Sequence, residues 1–125
     1  FKDKRLSLIK LYEKFIGEND IIEIVSSSKK KGVSWHLFVL KIDFSLLKID
    51  RAQIMDELLK KQIRTQVHYI PAHKMPLYKN NKSKLEGTMN YYESILSFPL
   101  FPKMVEKDVK YIVACLKSIL IKFRK

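Results

Sequence analysis

The sequence predicts an α+β domain, a two-layer sandwich in which a small, mainly antiparallel three-stranded sheet packs on about four helices. Three observations carry this. Helix-like and strand-like periodicities follow one another as α–β–β–α–β–α–α, not in the regular alternation that builds a parallel sheet. The length of 125 residues suits one domain. The 46% hydrophobic fraction excludes a disordered chain.

The first helix is predicted over Lys4 to Ile16, where Leu8, Ile9, Tyr12, Phe15 and Ile16 fall on one stripe and Gly17 follows as a helix stop. Ile21 to Val25 is short and β-branched, a strand. Ser26 to Gly32 is small and basic, a loop. Ser34 to Ile42 is the second strand, apolar on both faces and therefore central. Asp50 to Gln62 is the best-signalled helix: Asp50 caps it, Gln53 answers from three residues on, and Ile54, Met55, Leu58 and Leu59 make the inner face. Arg64 to Ile70 is the third strand, ended by Pro71. His73 to Lys84 reads as loop. Thr88 to Leu96 reads as a short helix, with Ser97 to Pro102 an extended segment after it. Glu106 to Phe123 closes the chain with a stripe of Val109, Ile112, Val113, Leu116, Ile119, Leu120 and Phe123.

Composition excludes several classes. The longest uncharged apolar run, Val33 to Leu40, is far too short for a membrane span. A single cysteine, Cys115, makes no internal disulfide. The opening Phe1-Lys2-Asp3-Lys4-Arg5 is no signal peptide, so a cytoplasmic location is expected. The chain does not start with Met, which suggests a segment of something longer. The net charge is +12, yet only four of 25 basic residues are arginines and the lysines are dispersed. No nucleic-acid motif accompanies them, so a solvated surface is the simpler reading and no nucleic-acid or membrane partner is expected. A basic face would still attract a phosphorylated small substrate.

Three glycines leave no phosphate-cradling loop of the Walker or Rossmann kind. His36, His68, His73 and Cys115 lack clustered metal-ligand spacing, so no metal is expected. Ser45-Leu46-Leu47-Lys48 fits a serine acyl-enzyme pattern without its partner motifs and is read as chance. Asn81-Lys82-Ser83 fits a glycosylation acceptor in a chain with no secretory signal. The stretch from Val67 to Tyr78 differs: it holds two His, two Tyr and two Pro at a strand end. Such loops commonly carry ligand contacts. On residue types alone, packing and binding are equally open.

That stretch resembles a known family. Val67-His68-Tyr69-Ile70-Pro71-Ala72-His73, then Pro76-Leu77-Tyr78, then Ser97-Phe98-Pro99-Leu100-Phe101-Pro102 is similar to the C-terminal region of the DegT/StrS-type sugar aminotransferases. Ser34-Trp35-His36-Leu37-Phe38 resembles their Ser-x-x-His-Leu-Phe strand, and Arg51, Leu58, Ile63, Thr65 and Val67-His68-Tyr69 their next helix and strand. Lys4-Arg5 and the Tyr12 helix resemble the family's inter-domain helix, here residues 1–17. The motifs keep their order over about 110 residues. Val-His-Tyr-Ile-Pro-x-His is most similar to the branch making 4-amino-4,6-dideoxy-N-acetyl sugars for pseudaminic acid.

The resemblance implies that residues 1–125 form the small C-terminal domain of a fold type I aminotransferase. It implies pyridoxal phosphate as cofactor, glutamate as amino donor, a nucleotide-linked 4-keto sugar as acceptor and a homodimer. The Schiff-base lysine and cofactor domain would lie upstream, so this chain holds no catalytic or cofactor-binding residue and is inactive by itself. His68, Tyr69 and His73 are expected in the substrate pocket, with His36 and Tyr78 behind them; Ser97 to Pro102 is expected to pack the domain. Two positions depart from the pattern: Gln62 replaces a helix-ending Gly, and Val105 replaces a capping Thr. The alternatives are a stand-alone sugar-nucleotide binding or regulatory module and a basic nucleic-acid module. An upstream cofactor domain in the reading frame would favour the aminotransferase.

Overall fold

The computed structural model describes residues 2–28, 37–67 and 93–125. Helix α1 spans Lys2–Ile16, strand β1 Ile22–Ile24 and strand β2 Phe38–Ile42. A 3-10 turn, Phe44–Leu46, leads to helix α2, Arg51–Lys60; strand β3, Ile95–Phe98, and helix α3, Glu106–Lys122, complete the described elements. The sheet is antiparallel in the order β1-β2-β3, with Ile22 opposite Ile42 and Phe38 opposite Phe98. The α+β class and the central position of β2 agree with the sequence.

One sheet face carries the core. Phe38, Leu40, Ile42, Leu96 and Phe98 meet Leu8, Ile9, Tyr12 and Ile16 of α1, Ile54 and Leu58 of α2, and the apolar stripe of α3. Tyr12 is the pivot. Its ring stacks on Phe38 with centroids 4.1 Å apart, and its hydroxyl donates to the Pro99 carbonyl at 2.6 Å. Burial, with the Asp108 charge adding to it, holds that phenol well above its ordinary pKa. Lys117 Nζ ties α3 to the end of α1 through the Phe15 carbonyl at 2.6 Å.

Local signals set the boundaries. Gly17, at φ +61°, follows α1 and donates its N–H to the Glu13 carbonyl. Asp50 accepts from the Gln53 N–H at 2.8 Å while the Gln53 side chain accepts from the Asp50 N–H, the predicted capping box. Val105 has no capping side chain; Asp108 accepts from its N–H at 2.8 Å instead.

Four expectations are corrected. The predicted helix over Thr88 to Leu96 gives way at its end, since Ile95 and Leu96 belong to β3; residues 88–92 lie outside the described residues. All four β3 side chains are buried, and Pro99 biases Phe98 before it toward extended backbone. The third strand of the sheet is thus β3, not Arg64 to Ile70. From that segment Gln66 makes an isolated antiparallel bridge to Ser97, and residues 68–70 lie outside the described residues. Strand β2 begins at Phe38 rather than Ser34, with residues 34–36 likewise outside. Leu59, expected on the inner face of α2, is 52% exposed, because the stripe that packs inward runs through Ile54 and Leu58. Three α-helices stand among the described residues.

Candidate functional site

The residues singled out from the sequence, His36, His68, Tyr69, His73 and Tyr78, lie outside the described residues, as does the acceptor Asn81-Lys82-Ser83. The structure shows how the chain is held where it approaches them.

The first approach is a bulge. The N–H groups of Val25 and Ser26 both donate to the Val39 carbonyl, at 3.0 and 3.2 Å. Two residues of one strand thus oppose one of the other. The fully buried Ser26 hydroxyl donates to the Leu37 carbonyl at 3.1 Å and accepts from the Val39 N–H at 2.9 Å. One side chain therefore replaces a missing rung and fixes the backbone that follows His36. On the outgoing side, the Ser28 N–H donates to Glu13 at 3.2 Å. The sequence reading missed Ser26, because a serine after an apolar run carries no signal of partners eleven and thirteen residues away.

The second approach is the bridge between Gln66 and Ser97, with N–H to carbonyl distances of 3.0 and 2.8 Å. One rung further on, Arg51 Nη1 lies 3.4 Å from the Ile95 carbonyl. The register sends Val67 toward the Ile95 end of β3, whereas Leu37 lies at the Phe98 end. The segments leading to His36 and to His68 thus leave the described chain from opposite ends of the sheet, about 10 Å apart along the strands.

The remaining sequence candidates have ordinary settings. Ser45 donates to Asp43, which also accepts from the Ser45 N–H at 3.1 Å, so the Ser-x-x-Lys match sits in a solvent-facing turn. Among the described residues no group of three His, Cys, Asp or Glu side chains converges on a metal site, and no helix is long and apolar enough to cross a membrane.

Comparison with known proteins identifies the scaffold. The sequence profile of the DegT/DnrJ/EryC1/StrS aminotransferase family matches residues 1–117. The chain belongs to this family. Protein MJ1066 of Methanocaldococcus jannaschii is 34% identical, over 94% of this chain and 32% of its own length. The UDP-4-amino-4,6-dideoxy-N-acetyl-beta-L-altrosamine transaminase of Campylobacter jejuni serotype O:2 is 30% identical, over 98% of this chain and 33% of its own length. The fold matches Helicobacter pylori PseC, an aminotransferase involved in pseudoaminic acid biosynthesis. The TM-score is 0.80 at 21% identity, over 98% of this chain and 33% of that one. The chain spans about a third of the length of the curated relatives it matches.

Family aminotransferases use pyridoxal phosphate, and the described residues do not fit its covalent anchor. An anchoring lysine needs burial or a cationic neighbour to lose its proton. From Lys4 on, every described lysine side chain is exposed except Lys41 and Lys117, which are half-buried, and Lys117 is spent on the Phe15 carbonyl.

Proposed function

We propose that the protein to which these residues belong transfers an amino group from glutamate to a nucleotide-linked 4-keto sugar, using pyridoxal phosphate. In this reading residues 1–125 form the small domain over the cleft, residues 1–17 lead in from the larger one, and the cofactor is bound mainly by the part not present here. His68, Tyr69 and His73 orient the sugar nucleotide, with His36 and Tyr78 behind them. His and Tyr side chains suit this role because each can donate and accept at a sugar hydroxyl or phosphate. The enzyme works as a cytoplasmic homodimer and supplies surface-glycan precursors.

The observation that carries this reading is the family match over residues 1–117, which includes the run Val67-His68-Tyr69-Ile70-Pro71-Ala72-His73. The name of the Campylobacter relative, a nucleotide-sugar transaminase, supports the substrate class. The test is His68→Ala in the full-length enzyme. It should raise the KM for sugar nucleotide by about one to two orders of magnitude, the loss of a polar contact worth about 1–3 kcal/mol, with cofactor content unchanged. Loss of cofactor, or of the fold, would remove His68 from the pocket.

A further inference from the structure

Exposed aromatic side chains are scarce among the described residues: Phe101 and Tyr111, 51% and 53% exposed, are the two. Both line the same cleft, about 460 Å³ in volume, between the end of α2 and the start of α3. A lone apolar side chain on a surface calls for no explanation. Two aromatic rings on one concavity in the size range of small-molecule sites do.

The rest of the cleft says what would sit against them. Its floor is apolar, with Ile63, Met104 and Ile112 all buried. Its rim carries two exposed cations, Lys61 and Arg64, whose side chains have no hydrogen-bond or ion-pair partner among the described residues. The one acid in the lining, Asp108, is already engaged in accepting from the Val105 N–H. The walls are tied in place. The Tyr111 hydroxyl donates to the Lys61 carbonyl at 3.0 Å, and the Met104 N–H donates to the Phe101 carbonyl at 3.0 Å. Ring faces, an apolar floor and unpaired cations together suit a flat aromatic ring that carries anionic groups.

The cleft lies apart from the chain's path to His68. Gln66 pairs with Ser97, so Arg64 and Pro99, which both line the cleft, fall on one side of that bridge. Val67 continues on the other side, toward the Ile95 end of β3.

We propose that this cleft binds a nucleoside diphosphate, its base on the Phe101 and Tyr111 rings and its phosphates on Lys61 and Arg64. It is a second ligand site, distinct from the one assigned to His68, Tyr69 and His73, and it goes beyond the aminotransferase reading.

The experiment is equilibrium dialysis of the full-length protein with radiolabelled UDP, with uridine and pyrophosphate as competitors. The parent is compared with Phe101→Ala and with the double variant Lys61→Gln, Arg64→Gln. One UDP site per chain should weaken about tenfold in both variants, with the KM for a sugar nucleotide unchanged. Uridine and pyrophosphate should each compete at that site at least about tenfold more weakly than UDP, since each keeps only part of the contacts. UDP binding unchanged in either variant would overturn the proposal. Pyrophosphate competing as well as UDP would reduce the site to surface charge, and uridine competing as well would leave the cations without a role; either result removes the nucleotide. A sugar-nucleotide KM that rises in step would merge the cleft with the substrate pocket and end its standing as a second site. The double variant removes side chains that hold nothing in the fold, so it decides the matter even if Phe101→Ala melts earlier. Should the parent transaminate no sugar nucleotide, the aminotransferase reading falls while the dialysis still decides on the cleft.

Discussion

Gln62 occupies φ +65°, a left-handed conformation that costs a residue with a Cβ about 1–2 kcal/mol. The bonds around it say why it is held there. Its N–H donates to the Leu59 carbonyl at 2.9 Å and the Ile63 N–H to the Leu58 carbonyl at 3.0 Å, the paired bonds of a Schellman ending. Ile63 and Leu58 are both buried, which supplies the apolar contact that goes with it. Gln62→Gly should therefore stabilise the protein by about 1 kcal/mol, read as a higher urea midpoint at unchanged slope. An unchanged midpoint would show that the turn relaxes without penalty. The residue identity announced this position, since a side chain stands where the family pattern has glycine. Ser26 gave no such notice, because its three bonds to Leu37 and Val39 exist only once the strands have paired.

Elements were legible in proportion to the regularity of their burial. Helix α3 buries Val109, Ile112, Val113, Leu116, Ile119 and Leu120 on one side, the stripe that its 3–4 spacing predicts, and adds Cys115 at its edge. Helix α2 was legible through its cap as much as its face. Strand β3 was not: Ile95, Leu96, Ser97 and Phe98 are all buried, so no alternation marks the strand, and Ile95 also fits a helical repeat with residues before it. The segment from Arg64 showed the reverse failure. Its alternation of Thr65 and Val67 against Gln66 is real, but one bridge to Ser97 is what it forms among the described residues, and Arg51 Nη1 lies 3.4 Å from the Ile95 carbonyl of β3. The strength of α3 is testable. Leu116, 1% exposed, lies mid-stripe, and Leu116→Ala should cost about 2–5 kcal/mol through lost burial and a residual cavity. A melting temperature equal to that of the parent would mean that α3 does not bear on the core.

For the whole molecule, the candidate site was legible only as a run of residue types, Val67 to Tyr78. Sequence order cannot say which parts of a sheet its flanks leave from; the register supplies that. The division of labour can be tested at this scale. The 125 residues alone, mixed with pyridoxal phosphate and reduced with borohydride, should show sparse labelling scattered over exposed lysines. From Lys4 on, the described lysine side chains are exposed apart from Lys41 and Lys117, which are half-buried, and Lys117 is already bonded, so none is deeply buried as an anchoring lysine would be. Stoichiometric labelling of one lysine by mass analysis would mean a self-sufficient cofactor protein.

The pairing of α1 with α3 also governs the order in which the chain can finish folding on the ribosome. Leu8, Ile9, Tyr12 and Ile16 find their cover on a helix that ends at Lys122, about 100 residues later. At a synthesis rate of roughly 5–20 residues per second, the first helix waits about 5–20 s for its partner to be made. During that interval its apolar stripe faces the cytosol or whatever chaperone occupies it. Translation stalled before Glu106 would leave a nascent chain with an open core and a protease-sensitive first helix, however complete the sheet had become.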